Sequence, residues 1–262
     1  LSITTLTTVE DRPTFDLVGG NPPKLPSLPG GVVMRQDRDA VHDALLADIN
    51  IHARNCIRSF GDFQLAISFS PAVVPILRRM MTDPLYREFP WSRTRVWLVD
   101  EAIVSEDDPQ HRASILDGLV VEGSGMPIEQ AHRIDISRPD AASAYAAQLR
   151  EHLGWREKGQ DRLDVVLVEQ MSDGSWSGVV DAPGSDDLVV TTPVQHDAPA
   201  RICMTGNAVR SARLLAIVAI GKPAAAGIGH WRGSFSVRKA GPLPPIDAAE
   251  VRWYVDYEAC TE

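Results

Sequence analysis

The stretch Leu163–Gly178, LDVVLVEQMSDGSWSG, decides the fold class. Its first half is a short apolar run without polar alternation, which is how a strand covered on both faces reads. Its second half is a polar turn rich in Ser and Gly, where a chain leaves a sheet. Leu65–Phe69, Val96–Val99, Ile202–Thr205 and Leu214–Ile220 repeat the apolar pattern. Helical spacing lies between several of them. From Asp37, a candidate N-cap, Val41, Leu45, Ile49 and Ile57 recur one helical turn apart until Phe60-Gly61 ends the pattern. Pro71–Met81, Arg112–Val121 and Pro139–Leu153 read as further helices, the last closed by Gly154 as a C′ residue. Strands alternating with helices predict an α/β fold built on a mostly parallel sheet flanked by helices. Gly184–Ala200, with frequent Asp, Pro and Thr, reads as a loop or a small β excursion. Residues 1–32, dense in Pro and Gly towards their end, read as an arm, and 33–262 as one domain.

With 26 basic against 35 acidic residues the net charge is −9, which repels phosphate backbones and anionic lipid. Neither nucleic acid nor a membrane surface is an expected partner, and the longest clean apolar run, Leu214–Ile220, is far short of a membrane span. Three widely spaced cysteines, Cys56, Cys203 and Cys260, form no CxxC pair, so the expected compartment is a reducing cytoplasm. The seven histidines show no paired ligand spacing, and no metal is expected. GSWSG has Trp176 where a nucleophile elbow needs serine. Gly227-x-Gly229 lacks the third glycine of a dinucleotide fingerprint, and no P-loop occurs, so no cofactor is expected.

In open α/β sheets ligands sit beyond the carboxyl ends of the strands, so the residues after each run are the informative ones. These are Ser68–Pro71, Asp100-Glu101, Asp173–Gly178 and Gly221-Lys222. Asp100 and Glu101 form either an acid/base pair or a solvated strand end. His111, in EDDPQHR, follows them closely. Trp176 either stacks on a sugar or plugs the core.

Seven segments now read in a recognisable order: FQLAISFSP, VWLVDEAIV, DDPQHR, DVVLVEQMSDGSWSG, RICMTGNAVRSAR, AIGKPAA and VRWYVD. From about Val33 to Asp256 the chain resembles the 6-phosphogluconolactonase family, relatives of glucosamine-6-phosphate deaminases. Those proteins carry strands ending in SGGSTP, VDER and GMGxDGHTASLFP, then DxPDSNYR between the last two, and RxTLT, TGxxK and LTWFLD after them. The resemblance implies a Rossmann-like domain acting on a sugar phosphate or sugar lactone in the pentose phosphate pathway. It also assigns roles: Asp100, Glu101, Asp173, Ser175 and His111 as catalytic candidates, and Ser68, Ser70, Gly174, Arg201 and Lys222 as substrate contacts.

Several positions depart from the family pattern. The paired glycines of the phosphate loop are absent around Ser68 and Ser70, which leaves fewer N–H groups to face an anion. Ala102 replaces the arginine of VDER, and Lys222 stands two positions before the family lysine, where Ala224 now is. Ser175 replaces the catalytic histidine, and Trp176 the threonine after it. Opening a lactone needs a base for water and an acid for the departing ring oxygen, and imidazole serves as both. A serine hydroxyl does not. Three expectations follow. One is a homologue with impaired or lost activity that binds a sugar phosphate or regulates, docking on an active relative or a neighbouring pentose-phosphate enzyme. Another is an active lactone or ester hydrolase with a rebuilt set, in which His111 or Asp173 replaces the lost base and Glu101 assists. The last is the family activity itself.

Overall fold

In the computed structural model, which describes residues 22–156, 161–182, 185–194, 198–232, 248 and 250–261, a strand comes first. It is β1 (Gly31–Arg35). Helix α1 (Arg38–Phe60) follows, starting where the spacing predicts, with the Asp37 carboxylate accepting the Ala40 N–H at 2.9 Å. Its end is also as read, because Gly61 turns left-handed at φ 87°. Then come β2 (Phe63–Ile67), α2 (Val73–Thr82), β3 (Thr94–Leu98) and β4 (Asp100–Ala102). Helix α3 (Arg112–Ile115) loosens into a π-helical segment, Leu116–Val121, and α4 (Glu122–Ser124) ends it. After β5 (Ala131–His132) and α5 (Ala141–Leu153) lie β6 (Val165–Glu169), β7 (Val179–Val180) and β8 (Val189–Thr192). The chain closes through β9 (Arg201–Thr205), α6 (Gly206–Val209), β10 (Leu214–Ala219), α7 (Lys222–Trp231), β11 (Glu250–Asp256) and α8 (Tyr257–Cys260).

Seven strands form one sheet in the order β1-β11-β10-β6-β2-β3-β5, and every pairing within it is parallel. The middle strands are covered on both faces, as their unbroken apolar runs require: all six residues of β10 and the first four of β6 are buried. Helix α1 lays Val41, Leu45, Ile49 and Ala53 onto this layer.

Two readings need correction. Ile202–Thr205 belongs not to the parallel sheet but to a second one, β4-β9-β7 with β8 on β9, in which β9 runs antiparallel to β4 and β8. An apolar run cannot tell which sheet buries it. Gly154 keeps a right-handed backbone at φ −67°, so α5 ends without a left-handed residue. The excursion between Gly184 and Ala200 is β8. Of the arm, residues 1–21 lie outside the described residues, while Gly31 and Val32 are already part of β1, and the Pro29 carbonyl accepts the Trp253 indole N–H at 2.9 Å.

Asp62, Asp164 and Arg213 lie beside the amino ends of β2, β6 and β10, where Arg156 joins them in an ionic knot. Asp164, fully buried, accepts Arg156 Nη1 and Nη2 at 2.8 and 2.9 Å, Arg213 Nε at 2.9 Å and the Gln64 N–H at 2.8 Å. Arg156 also reaches Asp62 at 2.7 Å.

Candidate ligand site at the carboxyl edge of the sheet

The carboxyl ends of β6 and β10, with the start of α2, open onto a cavity of about 440 Å³. Its polar lining comes from Arg38, Glu169, Gln170, Ser172, Lys222 and Glu258, two cations and two carboxylates among them. Glu169, the last residue of β6, accepts the Ala72 N–H at 3.1 Å, just ahead of α2. Gln170 donates its amide to the carbonyls of Met171 (2.8 Å) and Ser175 (3.3 Å), while its Oε1 is buried without a donor among the described residues. Ser68 and Ser70 do not line this cavity. The Ser68 hydroxyl is 2.6 Å from that of Ser177, which in turn accepts the Glu169 N–H. The Ser70 carbonyl accepts the N–H groups of Val73 and Val74, and its hydroxyl is buried without a partner among the described residues.

Beside this lies a second cluster, where the chain crosses from one sheet to the other at Val99. Asp100 pairs with Arg201 across the two antiparallel strands. Gly178, at φ 73°, packs so closely on Asp100 that a Cβ there would stand 2.5 Å from Oδ1, so only glycine fits. Glu101 is fully buried and is a latch rather than a free acid. Its oxygens accept the N–H groups of Arg112 (2.6 Å), Ala113 (2.7 Å) and Ala102 (2.9 Å). Burial raises its pKa, and these backbone bonds pull it back. His111 caps α3, its Nδ1 accepting the Ser114 N–H at 3.1 Å and lying 2.8 Å from the Ser114 hydroxyl. It therefore contacts neither Asp173 nor Ser175. The Arg112 guanidinium has no ion-pair partner among the described residues, and its Nε is buried without an acceptor. Burial lowers its pKa, and its charged neighbours are Asp100, Arg201, Glu101 and Glu169.

The Asp173–Ser175 turn follows directly on Ser172, which lines the cavity, but is not itself part of that lining. Asp173 Oδ1 accepts the Ser175 N–H at 2.9 Å and its hydroxyl at 2.6 Å, and that hydroxyl bond is the main cause of a lowered Asp173 pKa. The segment descends along α7: a Cβ on Gly227 would be 2.1 Å from the Met171 carbonyl oxygen, and one on Gly174 would be 3.0 Å from the His230 Cβ. Lys222, which lines the cavity, and His230 are eight residues apart, or about 12 Å along a helix axis. Trp176 is the core plug. It is 3 % exposed and stacks on Trp231 at 5.5 Å, and Trp231 gives its indole N–H to the Gly174 carbonyl.

The candidate residues thus fall into four places: Lys222 in the cavity; Ser68 and Ser70 between β2 and α2, outside its lining; Asp100, Glu101, His111 and Arg201 around α3; Asp173, Gly174 and Ser175 beside α7. Sequence reading missed Glu169, Gln170, Arg112 and His230. Glu169–Met171 stand where the resemblance puts a Gly-Met-Gly, and two glycines replaced by Glu and Met were the available signal. His230 had none, because its contact with the turn is tertiary. Among the described residues no three His, Cys, Asp or Glu side chains converge as a metal site, and no described helix is long and apolar enough to cross a membrane.

Comparison with known proteins agrees with this architecture. The family model described as glucosamine-6-phosphate isomerases/6-phosphogluconolactonase matches residues 36–252. The human GDH/6PGL endoplasmic bifunctional protein is 24 % identical over 233 residues, 82 % of this chain, and its rabbit (Oryctolagus cuniculus) counterpart 23 % over 239 residues, 84 % of this chain. The chain spans 28 % and 29 % of their lengths. Among solved structures, the 6-phosphogluconolactonase of Thermotoga maritima superposes with a TM-score of 0.72 at 18 % identity, covering 86 % of this chain and 99 % of that one. The enzyme of Trypanosoma cruzi gives 0.71 at 14 % identity, covering 89 % and 96 %. With the family model spanning most of the chain and the parallel sheet matching in three dimensions, this protein belongs to the glucosamine-6-phosphate isomerase/6-phosphogluconolactonase family.

Proposed function

We propose that this protein binds a sugar-derived lactone or acid at the carboxyl edge of its sheet and hydrolyses lactone at close to the uncatalysed rate, serving as a binding or regulatory relative of the lactonases. One observation carries the reading: the position that the family pattern gives to histidine holds Ser175, whose hydroxyl is spent on Asp173 in a turn packed along α7. General acid/base assistance is worth roughly 10²- to 10⁴-fold, and Asp173, Gly174 and Ser175 are not part of the cavity lining, which ends at Ser172 on this segment. The three buried, free thiols support a reducing compartment such as the cytoplasm.

The test is hydrolysis of freshly generated 6-phosphogluconolactone by the purified protein. A rate indistinguishable from the spontaneous one is expected. A kcat/KM above about 10⁴ M⁻¹ s⁻¹, the range of ordinary enzymes, overturns the reading.

A second reading rests on His230. This imidazole packs beside Gly174 and contributes to lowering the Asp173 pKa, so it, rather than His111, is the base that a rebuilt hydrolase would use. In that case His230→Ala abolishes turnover and His111→Ala does not.

A further inference from the structure

We infer that Glu169 sets the ligand class of the cavity: its carboxylate fills the seat that a ligand's phosphate would take, so the pocket selects an unphosphorylated polyhydroxy compound and rejects a phosphate monoester. This rests on the cavity being the ligand site, as proposed above, and not on the loss of hydrolysis.

Helix α2 runs for ten residues with no side-chain hydrogen bond at its N-cap and no acidic residue in its first turn. Such an end carries partial positive charge and attracts anions; the Val73 and Val74 N–H groups already donate to the Ser70 carbonyl and Pro75 has none, which leaves the Ala72 N–H as the donor at this end. Here the anion is internal, with Glu169 accepting the Ala72 N–H at 3.1 Å. The unpaired Arg112 guanidinium has the same carboxylate among its charged neighbours. Arg112 has Asp100 and Glu101 as stronger counter-charges, so Glu169 adds to an anionic surrounding that is already in place. A phosphate dianion entering the cavity meets that charge first, with Glu258 adding a second carboxylate to the lining.

What the lining does offer is acceptors. Gln170, 2 % exposed, has an Oε1 without a donor, and its amide orientation is fixed because Nε2 serves two carbonyls. The second oxygen of Glu169 accepts no hydrogen bond among the described residues, and Glu258 is exposed at the rim. Hydroxyl donors satisfy such a surface, and Lys222 supplies a donor in return. A buried polar site that is left unpaired discriminates strongly against a ligand lacking the matching group.

The experiment is titration calorimetry at fixed ionic strength with D-glucono-1,5-lactam and its 6-phosphate ester, stable neutral-ring isosteres that differ only in the phosphate, and with inorganic phosphate as a probe of the seat. Wild-type protein is expected to bind the lactam at least ten-fold more tightly than its phosphate ester and to show no heat with inorganic phosphate. Glu169→Ala is expected to reverse the order and to gain phosphate binding. Glu169→Gln keeps the side chain's size and its bond to Ala72 while removing the charge, so it reports if the alanine variant fails to fold, with a gain in the same direction. Wild-type preference for the phosphate ester, binding of neither lactam, or no gain in a folded Glu169 variant overturns the inference. Lactone turnover measured on the same wild-type sample bears on the proposed function alone, so the two failures are distinguishable.

Discussion

The two edges of the parallel sheet treat charge in opposite ways. At the amino edge Asp164 is closed in by two arginines and a backbone N–H, and Arg156 and Arg213 both lie over the Phe60 ring. At the carboxyl edge Arg112 and Lys222 have no ion-pair partner among the described residues, and Ser70 Oγ, Gln170 Oε1 and Trp176 Nε1 are buried without one. The same strands are thus tied together by matched charges at one end, where Arg156 Nε also lacks a partner among the described residues, and carry cations without an ion pair at the other. Unmet buried polar groups cost stability, and of those named here Gln170 belongs to the cavity lining, where a ligand would meet the need.

Breaking the amino edge should have the largest effect. Asp164→Ala removes the carboxylate that Arg156 and Arg213 share, Arg156 having a side chain only 1 % exposed, and is expected to cost about 3–5 kcal/mol by urea denaturation. A loss below 1 kcal/mol would mean that the knot is decorative.

Acid should break the flank at β3 and β5 next. His132 is 2 % exposed, stacked 3.7 Å from Trp97 and 4.5 Å from His152; burial first, then the His152 charge, brings its pKa down to about 3. The unfolded chain takes up this proton near pH 6.5 and the folded one does not. Stability from this group is therefore full above that pH and is lost as pH falls towards 3, by about 4 kcal/mol at that point. His132→Gln should flatten the corresponding part of the stability-against-pH slope; an unchanged slope refutes the assignment.

At the carboxyl edge the effects should be smaller in stability and sharper in function. Glu101→Gln weakens three bonds to backbone N–H groups and is expected to cost about 2 kcal/mol, with faster hydrogen exchange at Arg112 and Ala113. Ser175→His restores the family's residue type but not its place, since the turn follows α7. Hydrolysis should rise by less than about ten-fold, against the roughly 10²- to 10⁴-fold that a working imidazole supplies. A full recovery would show that the turn reaches the cavity. Asp173→Asn, on an exposed turn, should change stability by no more than about 0.5 kcal/mol.

The layout of α1 was legible because Asp37 and Gly61 act locally: a cap carboxylate three residues from its N–H and a glycine free to turn left-handed need no distant partner. The strands β2, β6 and β10 were legible because burial on both faces requires apolar residues throughout. Strand β9 satisfied the same rule in the wrong sheet, because burial records how much neighbour there is and not which one. The site was legible only in part. Asp100 and Glu101 sit at a strand end as read, yet one is held by an arginine 101 residues away and the other by the helix that begins at Arg112. Glu169 went unremarked because its partner, Ala72, is 97 residues distant.

The order of amino acids by itself settled the α/β class and the long first helix, which rest on spacing along the chain, and the family, which rests on the resemblance of seven motif segments. Where the polar groups end up was decided only in three dimensions. Helix α7 draws the Asp173–Ser175 turn away from the cavity, His230 comes to lie beside it, and a glutamate takes the anion's seat at α2, because these outcomes depend on contacts between segments that no local pattern encodes.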